Sequence, residues 1–393
     1  MVLRLRPIPN RIPGVFEGPG LPYILSRSKK GSPLQPLRDC IDFSIAENWL
    51  RLCSTQHSNC YKRQALLIPL RLIDCIERTI ISPQEGVDYV TLSYVWGSTV
   101  ANSNEQNGSS VNQALPTSLP QTIEDAMTVT KKLNYRYLWI DKYCVPSDPE
   151  IFLNQIQQMD LIYRNSVLTI VDASGKDPTT GLPGVRAGSR IAQQPCVHFQ
   201  GHELISSMPR PEWTIKSSPW STRAWTYQEG LLSCRRLFFT SQQLYFECQG
   251  IYCSEALDFP IEGLLKIHTR DRQHLRDDLC LGGRIGLYPI TLVDQNSWEI
   301  FAHLSAYSQR TLTYEADILN GILGLFRHTE ALANPIRHIW GLPFQEHQSW
   351  DDVYVESTYR QLSFVESMSW TLKKPSSRRP GFPSWSWVGW YGG

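Results

Sequence analysis

Residues Asp88 to Tyr94 alternate apolar and polar positions in a β-rich run, which predicts a strand that ends in a turn at Gly97. Upstream, Ile45, Ala46, Trp49, Leu50 and Cys53 recur on one side of a predicted helix over 41–56. Downstream, a helix is predicted over 122–134, with Thr122 as cap, Asp125 in its first turn, and Ile123, Ala126, Met127 and Leu133 at helical spacing. A short apolar strand from Arg136 to Asp141 follows. Next come a helix over 149–163, with Ile156, Met159, Ile162 and Tyr163 inward, and a strand over 166–174. Ser218-Pro219 is a helix start, since Ser caps free N–H groups and Pro fits the first helical position. Residues 235–248 read as two strands of a hairpin, and the region from 255 to about 365 reads as mainly helical.

Strand and helix in alternation predict an α/β fold, a doubly wound and mostly parallel sheet flanked by helices with irregular insertions. In such sheets ligands bind outside the carboxyl ends of the strands. Here those ends carry Ser93-Tyr94-Val95-Trp96-Gly97 and Asp141-Lys142-Tyr143-Cys144. Residues 1–40, rich in Pro, Gly and Arg, read as an extended arm, and 98–113 as a polar loop. The chain divides into that arm, an α/β domain over 41–254 with its core at 88–250, and a C-terminal region over 255–393.

Composition narrows the function classes. The chain has 393 residues, 41% apolar, with a formal net charge of +1, and no clustered basic face that would argue for nucleic acid. No stretch approaches the ~18 apolar residues of a membrane span; the most apolar segment is interrupted by Arg71 and Asp74. The N-terminal stretch lacks the apolar run of a secretion signal. Ten cysteines in such a chain read as reduced thiols in the cytoplasm. Cys53-x3-His57-x2-Cys60 has a metal-like spacing but no fourth ligand at a familiar distance. Cys248 and Cys253 could join it only through the fold, so no metal is expected.

One pattern is harder to read. On the helix after Ser218-Pro219, Trp225, Gln228 and Glu229 fall at i, i+3 and i+4 and share a face. Burying an unpaired carboxylate is costly. Glu229 therefore either points to solvent beside a half-buried Trp225 or lines a cleft. Glu247 reads as half of a surface ion pair, and Cys144 as a small core residue rather than a nucleophile.

Four blocks in order are Thr91 to Gly97, Tyr137 to Gly175, Arg223 to Phe239 and Phe382 to Trp390. Together they resemble the fungal heterokaryon-incompatibility (HET) domain over about 41–250 plus the tail. The lead-in, with Trp49, Cys53, His57 and Cys60 ahead of Pro69-x-Arg71-Leu72, resembles that family too. The resemblance implies a role in self/non-self recognition and regulated cell death. It also implies a similarity to Toll/interleukin-1 receptor (TIR) domains and hence a TIR- or flavodoxin-like sheet. Several TIR domains cleave the nicotinamide–ribose bond of NAD with a glutamate preceded by Trp. On that pattern Glu229 is the candidate catalytic residue. Ser93, Tyr94, Trp96, Asp141, Arg223 and Trp225 are the candidate binding residues.

NAD enters this reading as substrate, and no resident cofactor is expected. The implied partners are a second copy of the chain, other HET proteins or receptor-type proteins. The alternative is a non-catalytic signalling module or an inactive short family member. Two departures bear on this: Val145-Pro146-Ser147 follows Cys144 where the family usually has Ile-x-Gln, and the chain stops at Trp390-Tyr391-Gly392-Gly393 just after a motif that members continue beyond. Trp387 and Trp390 are expected in a strand.

Overall fold

The computed structural model describes residues 2–4, 23–27, 36–57, 60, 64, 66, 70–97, 112–146, 148–190, 194–200, 202–206, 208, 211–256, 287–288, 298–345 and 364–391. Its centre is an eight-stranded sheet. Chain order runs β3 (Leu72–Asp74), β4 (Thr79–Ile81), β5 (Tyr89–Ser93), β6 (Tyr137–Trp139), β7 (Leu168–Asp172), β10 (Arg235–Phe239), β11 (Leu244–Cys248) and β12 (Tyr252–Ser254). Spatial order is β12-β11-β10-β7-β5-β6-β3-β4. The middle four are parallel: β10 pairs β7, β7 pairs β5 and β5 pairs β6. The outer strands on both sides are antiparallel, and β10 and β11 form the expected hairpin.

Every residue of β5, β7, β10 and β11 is buried, because helices cover both faces. Alternation along β10 splits two cores. Leu237 and Phe239 join the one under α1 (Phe43–Gln56) and α2 (Gln121–Lys132). Phe238 joins the other, with Trp220, Tyr227 and Leu231. Trp49 of α1 stacks on Phe246 at 6.1 Å, and Trp139 meets Tyr163 edge-on at 5.5 Å.

The sequence reading is right about the order of elements from β5 to β11 in the central sheet, has no strand at β3, β4 or β12, reads 175–217 as irregular where two strands and a helix lie, and misses how several other elements begin or end. Thr122 is not a cap: α2 starts after Pro120, and the Thr122 hydroxyl is buried, accepting from Gly181 N–H at 3.2 Å. The strand expected up to Asp141 stops at Trp139, and Asp141–Cys144 turn into a short helix, α3. The helix expected over 149–163 is two, α4 (Pro149–Gln157) and α5 (Met159–Asn165). The helix expected from Ser218 is also two: α7 (Pro219–Thr222), which Ser218 caps, and α8 (Ala224–Leu232). Arg223 between them is extended, at φ −88° and ψ 144°.

The 1–40 arm and the 98–113 loop lie mostly outside the described residues. Within the arm, β1 (Val2–Arg4) and β2 (Tyr23–Arg27) join β8 (Cys196–Phe199) and β9 (His202–Ser206) in a second sheet. Of the C-terminal region, the described part holds α9 (Glu299–Ser308) and α10 (Leu323–Glu330), but also a hairpin of β13 (Arg337–Ile339) and β14 (Leu342–Phe344). Trp387 is not in a strand. It opens a 3-10 turn, Trp387–Gly389, and Val388 is fully buried in the second core. Among the described residues no helix is long and apolar enough to cross a membrane.

Candidate functional site

The parallel strands place two carboxylates at one edge. Ser93 is the last residue of β5, the central strand, and Asp141 starts α3 just beyond the end of β6. Glu229 comes from α8, which packs against β5 and α5. This is the edge where a doubly wound sheet binds ligands. The turn out of β5 depends on Gly97, whose φ is +74°; a Cβ there would meet the Asp177 side chain at 2.7 Å.

Glu229 is 6% exposed, and its Oε2 accepts a hydrogen bond from the Ser93 hydroxyl. The Ser93 oxygen in turn accepts from the indole N–H of Trp220 at 2.7 Å. Burial pushes the Glu229 carboxyl up to about 7, and the Asp141 charge adds to that; the hydrogen bond from Ser93 and the charge of Arg223 oppose it. Asp141 is half-buried. Its Oδ1 accepts from Lys142 N–H at 2.7 Å, and its Oδ2 accepts from the Trp96 indole at 3.0 Å. Burial raises it to about 6, against those hydrogen bonds and the Arg223 and Lys142 charges.

Each sequence-derived site residue has a definite place. Ser93, Glu229 and Asp141 converge, as do Trp96 and Arg223. Arg223 is half-buried between α7 and α8, where it donates to Thr313 Oγ1 at 3.1 Å and bears on both carboxylates; it makes no described ion pair with Asp141. Trp225 is half-buried against the first core. Tyr94 is buried, its hydroxyl pushed well above its usual range by burial and then by the Asp141 charge.

Gln228 and Glu229 do not share an open face. Gln228 is buried and accepts from Gly324 N–H at 2.8 Å on the α10 side, and all of α8 except Trp225 is buried. Cys144 is fully buried and pushed up to about 12 by that burial, which removes it as a nucleophile. Glu247 is not on the surface: it is 2% exposed, paired with Arg236 across the hairpin, and accepts the N–H groups of Leu287 and Tyr288 at 3.0 Å.

Two members of the site were missed from sequence. Trp220 orients Ser93 from 127 positions away. Tyr163 reaches the same place from α5, its hydroxyl donating to Leu92 O at 3.2 Å. Both looked like ordinary core aromatics, and no local spacing links them to Ser93 or Glu229. An open groove of about 510 Å³ lined by Arg38, Asp42, Phe43, Glu47 and Lys132 shares no residue with this cluster.

Together these groups can hold a carboxylate half ionised near neutral pH beside a second carboxylate, two part-exposed indoles and a guanidinium. Residues 89–229 match the family described as Heterokaryon incompatibility protein (HET). No curated protein and no solved structure matches the chain. The matched segment opens on the first residue of β5 and closes on Glu229, so the strand ends that carry the site lie within the part of the chain that matches the HET family.

Proposed function

We propose that this HET protein acts in self/non-self recognition and regulated cell death by cleaving the nicotinamide–ribose bond of NAD, with Glu229 as the catalytic carboxylate. The observation that carries the reading is the Glu229–Ser93 hydrogen bond at the carboxyl end of the central parallel strand, beside Asp141. Breaking an N-glycosidic bond builds positive charge on the ribose, which an adjacent carboxylate stabilises. Nicotinamide is already a cationic leaving group, so one carboxylate suffices. A cationic ring close to Glu229 also favours its ionised form, offsetting the burial that raises it.

The other residues have roles in keeping with this. Asp141 would meet a ribose hydroxyl, Arg223 the diphosphate, and Trp96 or Trp225 the face of a base. At 6% exposure, Glu229 would reach substrate only after the wall around it moves, which fits activation by self-association in the cytoplasm. The same burial favours a second reading, a non-catalytic module that binds other HET or receptor-type proteins, with Glu229 a structural acceptor for Ser93.

The test is release of nicotinamide from NAD by concentrated, self-associated protein. Glu229→Gln should lower the rate by roughly 100-fold or more. Equal rates in the two proteins would remove Glu229 from catalysis. No release by a folded, associated wild type would favour the module.

A further inference from the structure

The last turn of α1 carries Cys53, and His57 is the residue that ends the helix, its N–H bonded to Cys53 O at 3.0 Å. Cys60 follows, with its own N–H on His57 O at 3.3 Å. The fold brings a fourth group to these three. Cys248, the last residue of β11 and 191 positions beyond His57, sets its Sγ 3.4 Å from His57 Nδ1. The ligand atoms of Cys53, His57, Cys60 and Cys248 all lie within 4.8 Å of one another. The structure assigns Cys53, His57, Cys60 and Cys248 as a structural zinc site that ties α1 to the β11–β12 hairpin.

Several features support that donor set. Three thiols and one imidazole are a closed tetrahedral zinc shell, and Zn–S near 2.3 Å with Zn–N near 2.1 Å gives ligand–ligand edges of roughly 3.5–3.8 Å. The 3.4 Å edge between Cys248 and His57 is already close to that spacing. The surroundings suit thiolates. Arg235 Nε–H donates to Cys53 Sγ at 3.1 Å, and the N–H groups of Gly250 and Ile251 both donate to Cys248 Sγ at 3.4 Å. Three thiolates with Zn²⁺ carry one net negative charge, which the buried Arg235 guanidinium balances.

Gly250 is required by the approach of the imidazole: a Cβ there would lie 2.5 Å from His57 Cε1. Cys53, Cys60 and Cys248 are all buried free thiols within the first core. All four ligands come from the protein, which leaves no open position for substrate, and no ligand is shared with the Glu229 cluster. The site is therefore a staple. It closes a long loop between the start of the domain and the far end of its sheet, where α1 also packs on β11 through Trp49 on Phe246.

The experiment is metal analysis of the purified full chain by plasma mass spectrometry. About one zinc per chain is expected. Cys248→Ser and Cys60→Ser should each lose it. Cys253→Ser, a buried thiol of neighbouring β12 that is not in the group, should keep it. Should the ligand variants fail to fold, wild type refolded with Co²⁺ keeps the question open to measurement. It should show thiolate-to-cobalt charge transfer and the strong visible bands of a tetrahedral site. A folded wild type without zinc, iron with acid-labile sulfide in its place, a disulfide joining two of the three cysteines, or zinc kept by a folded Cys60→Ser/Cys248→Ser double variant would each overturn the assignment.

Discussion

Replacing Glu229 by Gln should make the protein more stable at alkaline pH while removing the proposed catalytic group. Burial lifts the Glu229 carboxyl from 4.5 to about 7 in the folded chain. Below about pH 4.5 the folded and unfolded chains both hold the proton, and ionisation costs nothing. As pH rises towards 7 the unfolded chain ionises and the folded chain resists, so stability falls; above about 7 the loss is complete. Each pKa unit is worth about 1.4 kcal/mol, so the full loss is on the order of 3 kcal/mol.

The variant keeps an oxygen to accept from Ser93 but buries a neutral amide with two N–H groups to satisfy. The amide costs about 1 kcal/mol at any pH, so we expect a net gain of about 2 kcal/mol at pH 8 and a net loss of about 1 kcal/mol at pH 4. The assay is urea unfolding of both proteins at pH 4, 6 and 8, followed by tryptophan fluorescence. The stability gap between them should move in favour of the variant as pH rises. A gap that stays constant, or that favours wild type more at pH 8, would refute the claim that folding holds this carboxyl above its ordinary range.

Other outcomes follow from the same geometry. Nicotinamide release should rise with pH through about 7, as Glu229 ionises, and a rate flat from pH 5 to 8 would contradict a catalytic carboxylate there. Trp96→Phe removes a hydrogen bond that favours ionised Asp141 and should move that carboxyl above about 6, read by carbon NMR titration of labelled Asp. Glu247→Ala should destabilise by about 3–5 kcal/mol in denaturant unfolding, because the Arg236 charge stays buried without its carboxylate. Cys144→Ala should leave NAD cleavage unchanged, and the native thiol should resist alkylation until the chain unfolds.

The elements were legible where burial imposes a period. Strand β5 and helix α1 each present a repeating apolar side to one core, and their boundaries fall close to those expected. Local breaks were not legible. The extended backbone at Arg223 splits one expected helix into α7 and α8, and that break is paired with Thr311, 88 positions away: Ala224 N–H donates to Thr311 O at 2.9 Å, and Arg223 bridges to Thr311 in parallel. Glu247 was misjudged for the same kind of reason. A carboxylate late in a strand reads as exposed until the partner strand sets Arg236 opposite it and the 287–288 segment covers both.

Sequence alone determined the alternation of strand and helix, the parallel sheet that follows from it, and the family blocks. These rest on local periodicity and on short motifs of fixed spacing. It also placed Ser93 and Asp141 at the carboxyl ends of predicted strands and Glu229 on a helical face with Trp225, and the family resemblance made all three site candidates. The tertiary structure decided that Ser93 bonds Glu229, that Trp220 holds Ser93, and that Cys248 meets Cys53, His57 and Cys60. Each of these contacts joins residues more than a hundred positions apart. Their distances follow from strand order and helix packing, and the chain's local pattern contains neither.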